Sequence, residues 1–123
     1  MIIIDVDYDF NGIRDKYTKA FSVGGEIQSY IDEQVLKDIE PYIPYDEGKL
    51  TDSGIANTKI GDGLIIWNTP YARQMWYGKS ASGNDLNYQQ DVHPLAGKYW
   101  AERYKADHML ELKGKVIRRI NML

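Results

Sequence analysis

The chain contains no cysteine, so neither a disulfide framework nor thiolate chemistry is available to it. Long apolar runs are also missing: the segment Met1–Ile4 is too short for the apolar part of a signal peptide, and no stretch approaches membrane-spanning length. A net charge of −3 argues against a nucleic-acid surface, which needs clustered positive charge. We therefore expect a soluble protein without membrane or sequence-specific nucleic-acid partners, folded as a single domain over residues 1–123.

Residue patterns that carry catalysis or hold a metal are scarce. The two histidines, His93 and His108, form no paired metal-ligand motif, although a zinc site completed by a carboxylate stays open. The serines lie in no nucleophile motif, and the glycines form no phosphate-binding loop. Asp7 to Thr18 is spaced like a calcium loop, but Thr18 replaces the glutamate of the last ligand position. We predict no catalytic residue, no metal and no cofactor.

Apolar spacing predicts the elements of the first half of the chain. Apolar and acidic residues alternate from Ile2 to Phe10, with Tyr8 on the apolar face, which predicts a half-buried strand. Ile13 to Phe21 predicts one or two helical turns, and Ser22 to Gly25 predicts a break. A long amphipathic helix is then predicted, with apolar residues every four positions and prolines at its end: Ile27, Ile31, Val35, Ile39, Pro41 and Pro44.

The second half predicts a hairpin, a short helix, a loop and a final helix. Ile55–Ile60 and Leu64–Trp67 flank Gly61-Asp62-Gly63, a pattern typical of a β-hairpin. Thr69 is predicted to cap a short aromatic helix that ends at Gly78. The polar segment Lys79–Gly97 predicts a loop that we expect to be mobile in a free subunit, and Lys98–Asn121 predicts a helix whose last basic residues complement its dipole. Together these elements predict an α+β fold, with a small antiparallel sheet packed against the long amphipathic helix.

Two motifs carry a resemblance to a known family. Asn68-Thr69-Pro70-Tyr71-Ala72-Arg73, followed by Tyr77-Gly78, resembles the signature of the minor capsid proteins of tailed phages and prophages of Gram-positive bacteria. The stretch Pro41–Gly54 resembles the same family, and we predict that Asp46 caps a single turn there and that Gly54 releases the chain. A less specific match follows at Trp100, Arg103, Lys105, Asp107 and His108. The predicted structural motif consists of Asp46, Gly48, Leu50, Asn68, Thr69, Pro70, Ala72, Gly78 and Trp100.

The resemblance implies a virion structural protein at the head–tail neck. Such a subunit acts as a connector or tail-completion protein, assembles into a homo-oligomeric ring, and contacts portal or connector proteins and tail proteins. It resides in the virion and, during assembly, in the bacterial cytoplasm. The 10 tyrosines and 3 tryptophans suit protein contacts. The residues predicted to form the interface are Tyr71, Arg73, Trp76, Tyr77, Asn84, Tyr88 and His93.

The alternative is a small binding module of the same architecture without a virion role. A cleft between the aromatic helix and the Lys79–Gly97 loop would then hold a small ligand or a protein partner.

Overall fold

The computed structural model describes residues 1–22 and 25–123, and the predicted α+β class is confirmed. Within these residues the regular elements are β1 (Ile2–Asp5), α1 (Asn11–Lys16), α2 (Thr18–Ser22), α3 (Glu26–Asp38), α4 (Lys49–Asn57), β2 (Leu64–Trp67), α5 (Ala72–Tyr77) and α6 (Trp100–Asn121). Short 3-10 turns span Tyr8–Phe10 and Glu40–Tyr42. The middle of the predicted break, at Val23 and Gly24, lies outside the described residues.

The sheet joins the N-terminal strand to the middle of the chain. β1 pairs antiparallel with β2, with Ile2 opposite Trp67 and Asp5 opposite Leu64. The predicted hairpin is therefore wrong, because Ile55–Asn57 belong to α4 and the partner of β2 is β1. The short apolar strand at the N-terminus supplies a better partner for β2 than the polar stretch around Thr58.

β1 is shorter than the predicted strand. It ends at Asp5, whose carboxylate oxygen Oδ1 accepts the backbone N–H groups of Asp7 at 2.9 Å and Tyr8 at 3.2 Å. This local turn is a known alternative to continued strand pairing. As a result Tyr8 is 73 % exposed instead of facing the core, whereas Phe10 is buried as predicted.

The core lies between α3, α6 and the inner face of the sheet. The four-residue repeat of α3 is fully buried, which confirms the predicted amphipathic helix. α6 confirms the predicted final helix, and its last turn carries Arg118 and Arg119, of which Arg119 pairs with Glu26 of α3 at 3.2 Å. The residues that fill this core include Ile4, Ile27, Ile31, Val35, Ile39, Ile65, Trp67, Trp100, Tyr104, Leu112 and Val116.

A buried carboxylate on α3 holds the turn that leads into β2. Asp32 is fully buried, and its Oδ2 accepts the backbone N–H groups of Gly61 at 2.8 Å and Gly63 at 3.0 Å. Its Oδ1 accepts Nε2 of Gln28 at 3.0 Å. Burial raises the pKa of the Asp32 carboxyl, against these hydrogen bonds, which lower it. The long helix is thereby tied to the start of β2 by hydrogen bonds to the half-buried N–H of Gly61 and the buried N–H of Gly63.

Two of the predicted caps are absent. Asp46 is exposed in the connection before α4, which begins after Gly48 with no side-chain cap; Gly48 adopts φ +79°, a conformation that favours glycine. The hydroxyl of Thr69 makes no hydrogen bond within the described residues, and its carbonyl instead accepts the N–H of Ala72 at 3.2 Å. Both helices start after the predicted cap position, so backbone geometry rather than a side chain begins them. The predicted C-terminal end at Gly78, with φ +75°, is confirmed.

Gly54 does not release the chain but lies inside α4, against a buried tryptophan. A Cβ atom at this position would come within 2.5 Å of Nε1 and 2.9 Å of Cδ1 of Trp67. Trp67 is fully buried, and its ring also packs edge-on against Trp100. The close approach of α4 to β2 therefore requires a residue without a side chain.

We expect the substitution Gly54→Ala to lower the free energy of unfolding by about 1–3 kcal/mol, because the added methyl group overpacks the core. The matched control is Gly114→Ala in α6, where the nearest atom to the new Cβ is 3.8 Å away. There the gain in helix propensity should raise stability by up to about 1 kcal/mol. Urea denaturation measures both effects; two shifts of the same sign would contradict the packing argument.

Candidate assembly surface

A continuous series of aromatic rings runs from the core to the surface. Trp100 contacts Trp67 edge-on with ring centroids 5.5 Å apart, and Trp76 with centroids 4.8 Å apart. Trp76 in turn contacts Tyr99 at 5.8 Å, and Tyr99 contacts Tyr77 at 6.1 Å, both edge-on. The first three rings are buried, whereas Tyr77 is 49 % and Tyr99 38 % exposed. The exposed pair, here called the tyrosine patch, therefore rests on a rigid buried support.

Tyr99 owes its position to an uncommon backbone conformation. It has φ +53°, and it is the one non-glycine residue with positive φ among the described residues. Its N–H donates to the carbonyl of Trp76 at 3.0 Å, and its carbonyl accepts the N–H of Arg103 in the first turn of α6. Strained residues of this kind cluster at functional sites. Tyr99 was not among the predicted interface residues, because nothing in the sequence pattern around it signals positive φ.

The tyrosine patch is flanked by positive charge. The guanidinium of Arg73 lies 5.8 Å from the ring centre of Tyr77, and the ammonium of Lys98 lies 5.7 Å from that of Tyr99. Both distances allow cation–π attraction at the surface. The patch therefore combines exposed aromatic rings with cations, a composition common in protein interfaces.

The residues predicted to form an interface do not share one surface. Arg73 and Tyr77 are exposed on α5, whereas Trp76 of the same helix is buried beneath them. Asn84 is exposed at the far turn of the loop, where its N–H donates to the Ser80 hydroxyl at 3.1 Å. Tyr71 and Tyr88 are half-buried. Tyr77 is thus the one predicted interface residue that belongs to the tyrosine patch, and Arg73 flanks it.

His93 lies inside the subunit, which does not fit its predicted interface position. Its side chain is nearly fully buried; Nδ1 lies 2.7 Å from the carbonyl oxygen of Ile43, and its ring contacts Tyr45 edge-on. The polar surroundings in sequence suggested exposure, but the loop folds back and places this ring against the Glu40–Tyr45 segment. Among the described residues, no group of three histidine or acidic side chains is arranged to hold a metal ion.

The Lys79–Gly97 loop is tied to the body of the protein at several points. Leu86 donates its N–H to the carbonyl of Gly78 at 3.0 Å, and the Tyr88 hydroxyl donates to the carbonyl of Met75 at 2.6 Å. Nearer its end, Leu95 donates its N–H to the carbonyl of Pro41 at 3.1 Å. These bonds hold the loop along a defined path. The mobility expected for a free subunit stays a prediction, which amide hydrogen exchange of the loop tests.

Side chains from the third family-like stretch, at the start of α6, contact the buried side chain of Tyr42. The Tyr42 hydroxyl donates to Oδ2 of Asp107 at 2.5 Å, and Nε2 of His108 lies 3.1 Å from the same hydroxyl. The guanidinium of Arg103 lies 5.6 Å from the Tyr42 ring centre. Burial and the adjacent Asp107 raise the pKa of Tyr42 to about 12, so the hydroxyl keeps its proton at neutral pH. These residues join the Glu40–Tyr42 turn to α6.

We expect Tyr42→Phe to lower the free energy of unfolding by about 1–2 kcal/mol, because Asp107 and His108 lose their shared partner. Tyr8→Phe is the control, since Tyr8 is 73 % exposed and its hydroxyl has no hydrogen-bond partner among the described residues. Chemical denaturation of both variants measures the difference. An equal, near-zero effect for the two would mean that the Tyr42 hydrogen bonds contribute nothing net.

A second surface feature, here called the edge groove, follows the free side of β1. The groove has a volume of about 550 Å³ and lies between β1, the end of α5 and the first turns of α6. Tyr8, Tyr77, Glu102 and Lys105 contribute to its walls. It therefore adjoins the tyrosine patch, with which it shares Tyr77.

The outer edge of β2, in contrast, is closed by hydroxyl groups. Its Ile66 N–H donates to Oγ1 of Thr58 at 3.1 Å, and the following Asn68 N–H donates to Oγ of Ser53 at 2.7 Å. The motif residues Ser53 and Asn68 thus meet in space and satisfy backbone groups. Leu50, Ala72 and Trp100 of the motifs are buried, so these positions serve the fold.

No helix in the described part of the chain is long and apolar enough to cross a membrane.

Comparison with known proteins identifies a family over nearly the whole chain. The family described as minor capsid protein matches residues 4–120. Two phosphoglycerate kinases also share a segment with this chain. The enzyme of Limosilactobacillus reuteri subsp. reuteri (strain JCM 1112) is 40 % identical over 62 residues, which cover 49 % of this chain and 14 % of the kinase. That of Lactobacillus helveticus (strain DPC 4571) is 35 % identical over 69 residues, which cover 55 % of this chain and 15 % of the kinase.

The two kinds of match differ in what they support. The chain spans only about a seventh of the length of the two kinases, so their activity does not transfer to it. No solved structure matches the chain. The family match, by contrast, includes both strands and all six helices apart from a residue or two at each end. The chain belongs to the minor capsid protein family, which supports a structural role in the virion.

Proposed function

We propose that this chain is a neck subunit of a tailed phage or prophage, a connector or tail-completion protein that assembles into a ring between head and tail. The observation that carries the proposal is the tyrosine patch: Tyr77 and Tyr99 are exposed, yet they are held by buried tryptophans. Aromatic residues on rigid supports lose little conformational entropy on binding and are enriched at energetically important contacts. A patch of this kind therefore favours a function in which the subunit binds another protein.

Ring assembly determines what else the subunit must provide. A closed cyclic ring needs a heterologous interface, in which one surface meets a different surface of the neighbouring copy. We assign the tyrosine patch to one of these two surfaces. We assign the exposed part of the Lys79–Gly97 loop, including Asn84, to contacts with the neighbouring copy. The remaining contacts are with portal or connector proteins on the head side and with tail proteins. The whole chain acts as one domain, assembled in the bacterial cytoplasm and retained in the virion.

The test is a phage or induced prophage in which the gene is deleted and then restored in variant form. We expect the deletion to give filled heads without tails in electron micrographs. Restoration with the pair Tyr77→Ser and Tyr99→Asn should fail in the same way, because asparagine tolerates the positive φ of residue 99 while removing the ring. The control is Ile55→Ser, at an exposed apolar position on α4. Malformed heads, or normal tailed particles from the deletion, would contradict the neck assignment.

The alternative function is that of a small-molecule-binding module, and one structural feature favours it. A groove of about 430 Å³ lies between the loop and the start of α6, with Leu86, Tyr88, Tyr99 and Arg103 in its walls. Largely apolar walls that also hold Lys98 and Arg103, with Asp85 paired to Lys79, suit a small anionic ligand that carries an apolar group. A persistently monomeric protein with saturable binding of such a compound, together with unaffected particle assembly, would favour this function over the first.

A further inference from the structure

One edge of the sheet is open to pairing, and the hydrogen-bond pattern identifies the groups involved. In an antiparallel pair, alternate residues direct their N–H and C=O groups to the partner strand. Val6 donates to the carbonyl of Gly63 at 2.9 Å in the same register, whereas the Ile66 N–H points away from β1. Ile2 and Ile4 therefore bond to β2, and Ile3 faces outward. Its N–H and C=O have no partner among the described residues.

The contrast with the other edge is informative. The hydroxyls of Thr58 and Ser53 accept the outward N–H groups of Ile66 in β2 and of Asn68 just after it, and thereby close that part of the edge. Soluble proteins usually close or cover both edges, because an open one pairs with other chains. Here the outward N–H and C=O of Ile3 stay free and the groove leaves room beside them, whereas the outward C=O of Asp5 accepts Nζ of Lys105 at 3.5 Å. Such an edge is the requirement for recognition by strand addition.

The side chains around the edge define the chemistry of an added strand. Ile3 is 53 % and Met1 61 % exposed, and the rings of Tyr8 and Tyr77 stand at the walls, so apolar side chains would be buried there. Asp5 and Glu102 are exposed and form no ion pair within the described part of the chain. Lys105, the cation of the groove, is already paired with Asp9 at 2.7 Å. The edge groove therefore combines exposed apolar side chains with two unpaired carboxylates, those of Asp5 and Glu102.

We propose that the free edge of β1 binds an extended segment of another virion protein by β-strand addition, and that this segment alternates apolar residues with lysine or arginine. A second copy that offered its own β1 would bring another unpaired Asp5 carboxylate to a rim that already holds Asp5 and Glu102, since Asp7 and Asp9 are paired with Arg14 and Lys105, so charge disfavours that occupant. The inference rests on the proposed function for the source of the segment. The binding site itself is independent of that source and is tested with a peptide.

The probe is a synthetic peptide with blocked ends and the sequence Lys-Val-Lys-Val-Lys-Val-Lys, compared with the same peptide carrying glutamate in place of lysine. We expect the lysine peptide to bind saturably in an NMR titration and to slow amide hydrogen exchange at Ile3. The glutamate peptide should bind at least about tenfold more weakly, as should the lysine peptide to Glu102→Gln at low salt. Equal binding of the two peptides, or no binding of either, overturns the proposal.

The edge itself is tested by Ile3→Pro, which removes the outward N–H but no bond of the β1–β2 ladder. Proline is tolerated on edge strands for this reason. We expect binding to weaken about tenfold or more, whereas Ile3→Val, which keeps the N–H, should bind like the wild type. If the proline variant fails to fold, a lysine peptide N-methylated at alternate residues removes the matching donors from the other side. Undiminished binding in either test overturns strand addition.

Two further results separate this site from its alternatives. If the wild type sediments as an oligomer without peptide and Ile3→Pro sediments as a monomer, the occupant is a second copy and the proposal is wrong. If neither peptide binds while gene deletion still gives tailless heads, strand addition fails and the neck role stands. If the lysine peptide binds as expected while deletion leaves tails attached, the edge site stands and the neck role fails.

Discussion

Trp100→Ala should lower the free energy of unfolding by about 3–5 kcal/mol, the range for removing a large aromatic residue from a packed core. Trp100 is fully buried at the start of α6 and is the ring that contacts both Trp67 and Trp76. Its loss leaves a cavity beneath the tyrosine patch and removes two edge-on aromatic contacts. Urea denaturation followed by far-UV circular dichroism measures the shift in the transition midpoint.

Two further variants serve as comparisons for Trp100→Ala. Leu110→Ala changes a residue of the same helix that is 88 % exposed, and we expect an effect within about 0.5 kcal/mol. Trp100→Phe keeps an aromatic ring and sacrifices no hydrogen bond, because Nε1 of Trp100 has no partner among the described residues. It should cost clearly less than the alanine variant and remains measurable if the latter is unfolded. Comparable losses for Leu110→Ala and Trp100→Ala would refute the central role of Trp100.

Asp32→Ala should cost about 3 kcal/mol or more, through hydrogen bonding rather than packing. The substitution leaves the N–H groups of Gly61 and Gly63 without their acceptor, and buried unpaired donors carry the full desolvation penalty. Asp32→Asn retains one oxygen for these donors and should cost less than half as much. Glu33→Ala, at the next and exposed position of α3, is the control. Equal effects at positions 32 and 33, measured by chemical denaturation, would contradict the assigned role.

The Asp32 carboxyl group also makes the stability of the fold depend on pH, in a direction that its raised pKa determines. Burial raises its pKa above the ordinary value of 3.8, so folding disfavours the ionised form. Its contribution to stability is therefore fully present below the pKa of the unfolded chain and is lost as pH rises through the folded pKa. We expect the stability of the wild type relative to Asp32→Asn to increase as pH is lowered from neutrality into the acidic range. A decrease over that interval would show that the hydrogen bonds outweigh burial.

Elements defined by local periodicity were predictable, and pairings between distant segments were not. The four-residue spacing of Ile27, Ile31 and Val35 predicted α3. α4 was missed because its middle residues favour turns over helices, and because the reason for Gly54 lies in Trp67, a residue of another element. The Gly61–Gly63 turn resembled a hairpin connection, but its N–H groups bond to Asp32, far away in sequence.

The candidate surface was predictable to a similar extent. Arg73 and Tyr77 followed from the motif, and the structure adds Tyr99, whose exposure depends on a positive φ that no local pattern encodes. The free edge of β1 was equally hidden, because an edge is defined by which strands are absent beside it. His93 was placed at the surface on the polarity of its neighbours, whereas the loop returns and buries it against Ile43.

The hydrogen bond between the Tyr99 N–H and the Trp76 carbonyl holds together the two chain segments that flank the Lys79–Gly97 loop. The spacing between α5 and α6 is therefore set at the base of this loop and does not depend on how many residues the loop contains. At the opposite end, Gly83 has φ +86° and open space around it. Added residues at that tip would extend into solvent at a closure cost that grows only logarithmically with length. The length of this loop can therefore change while the core stays the same.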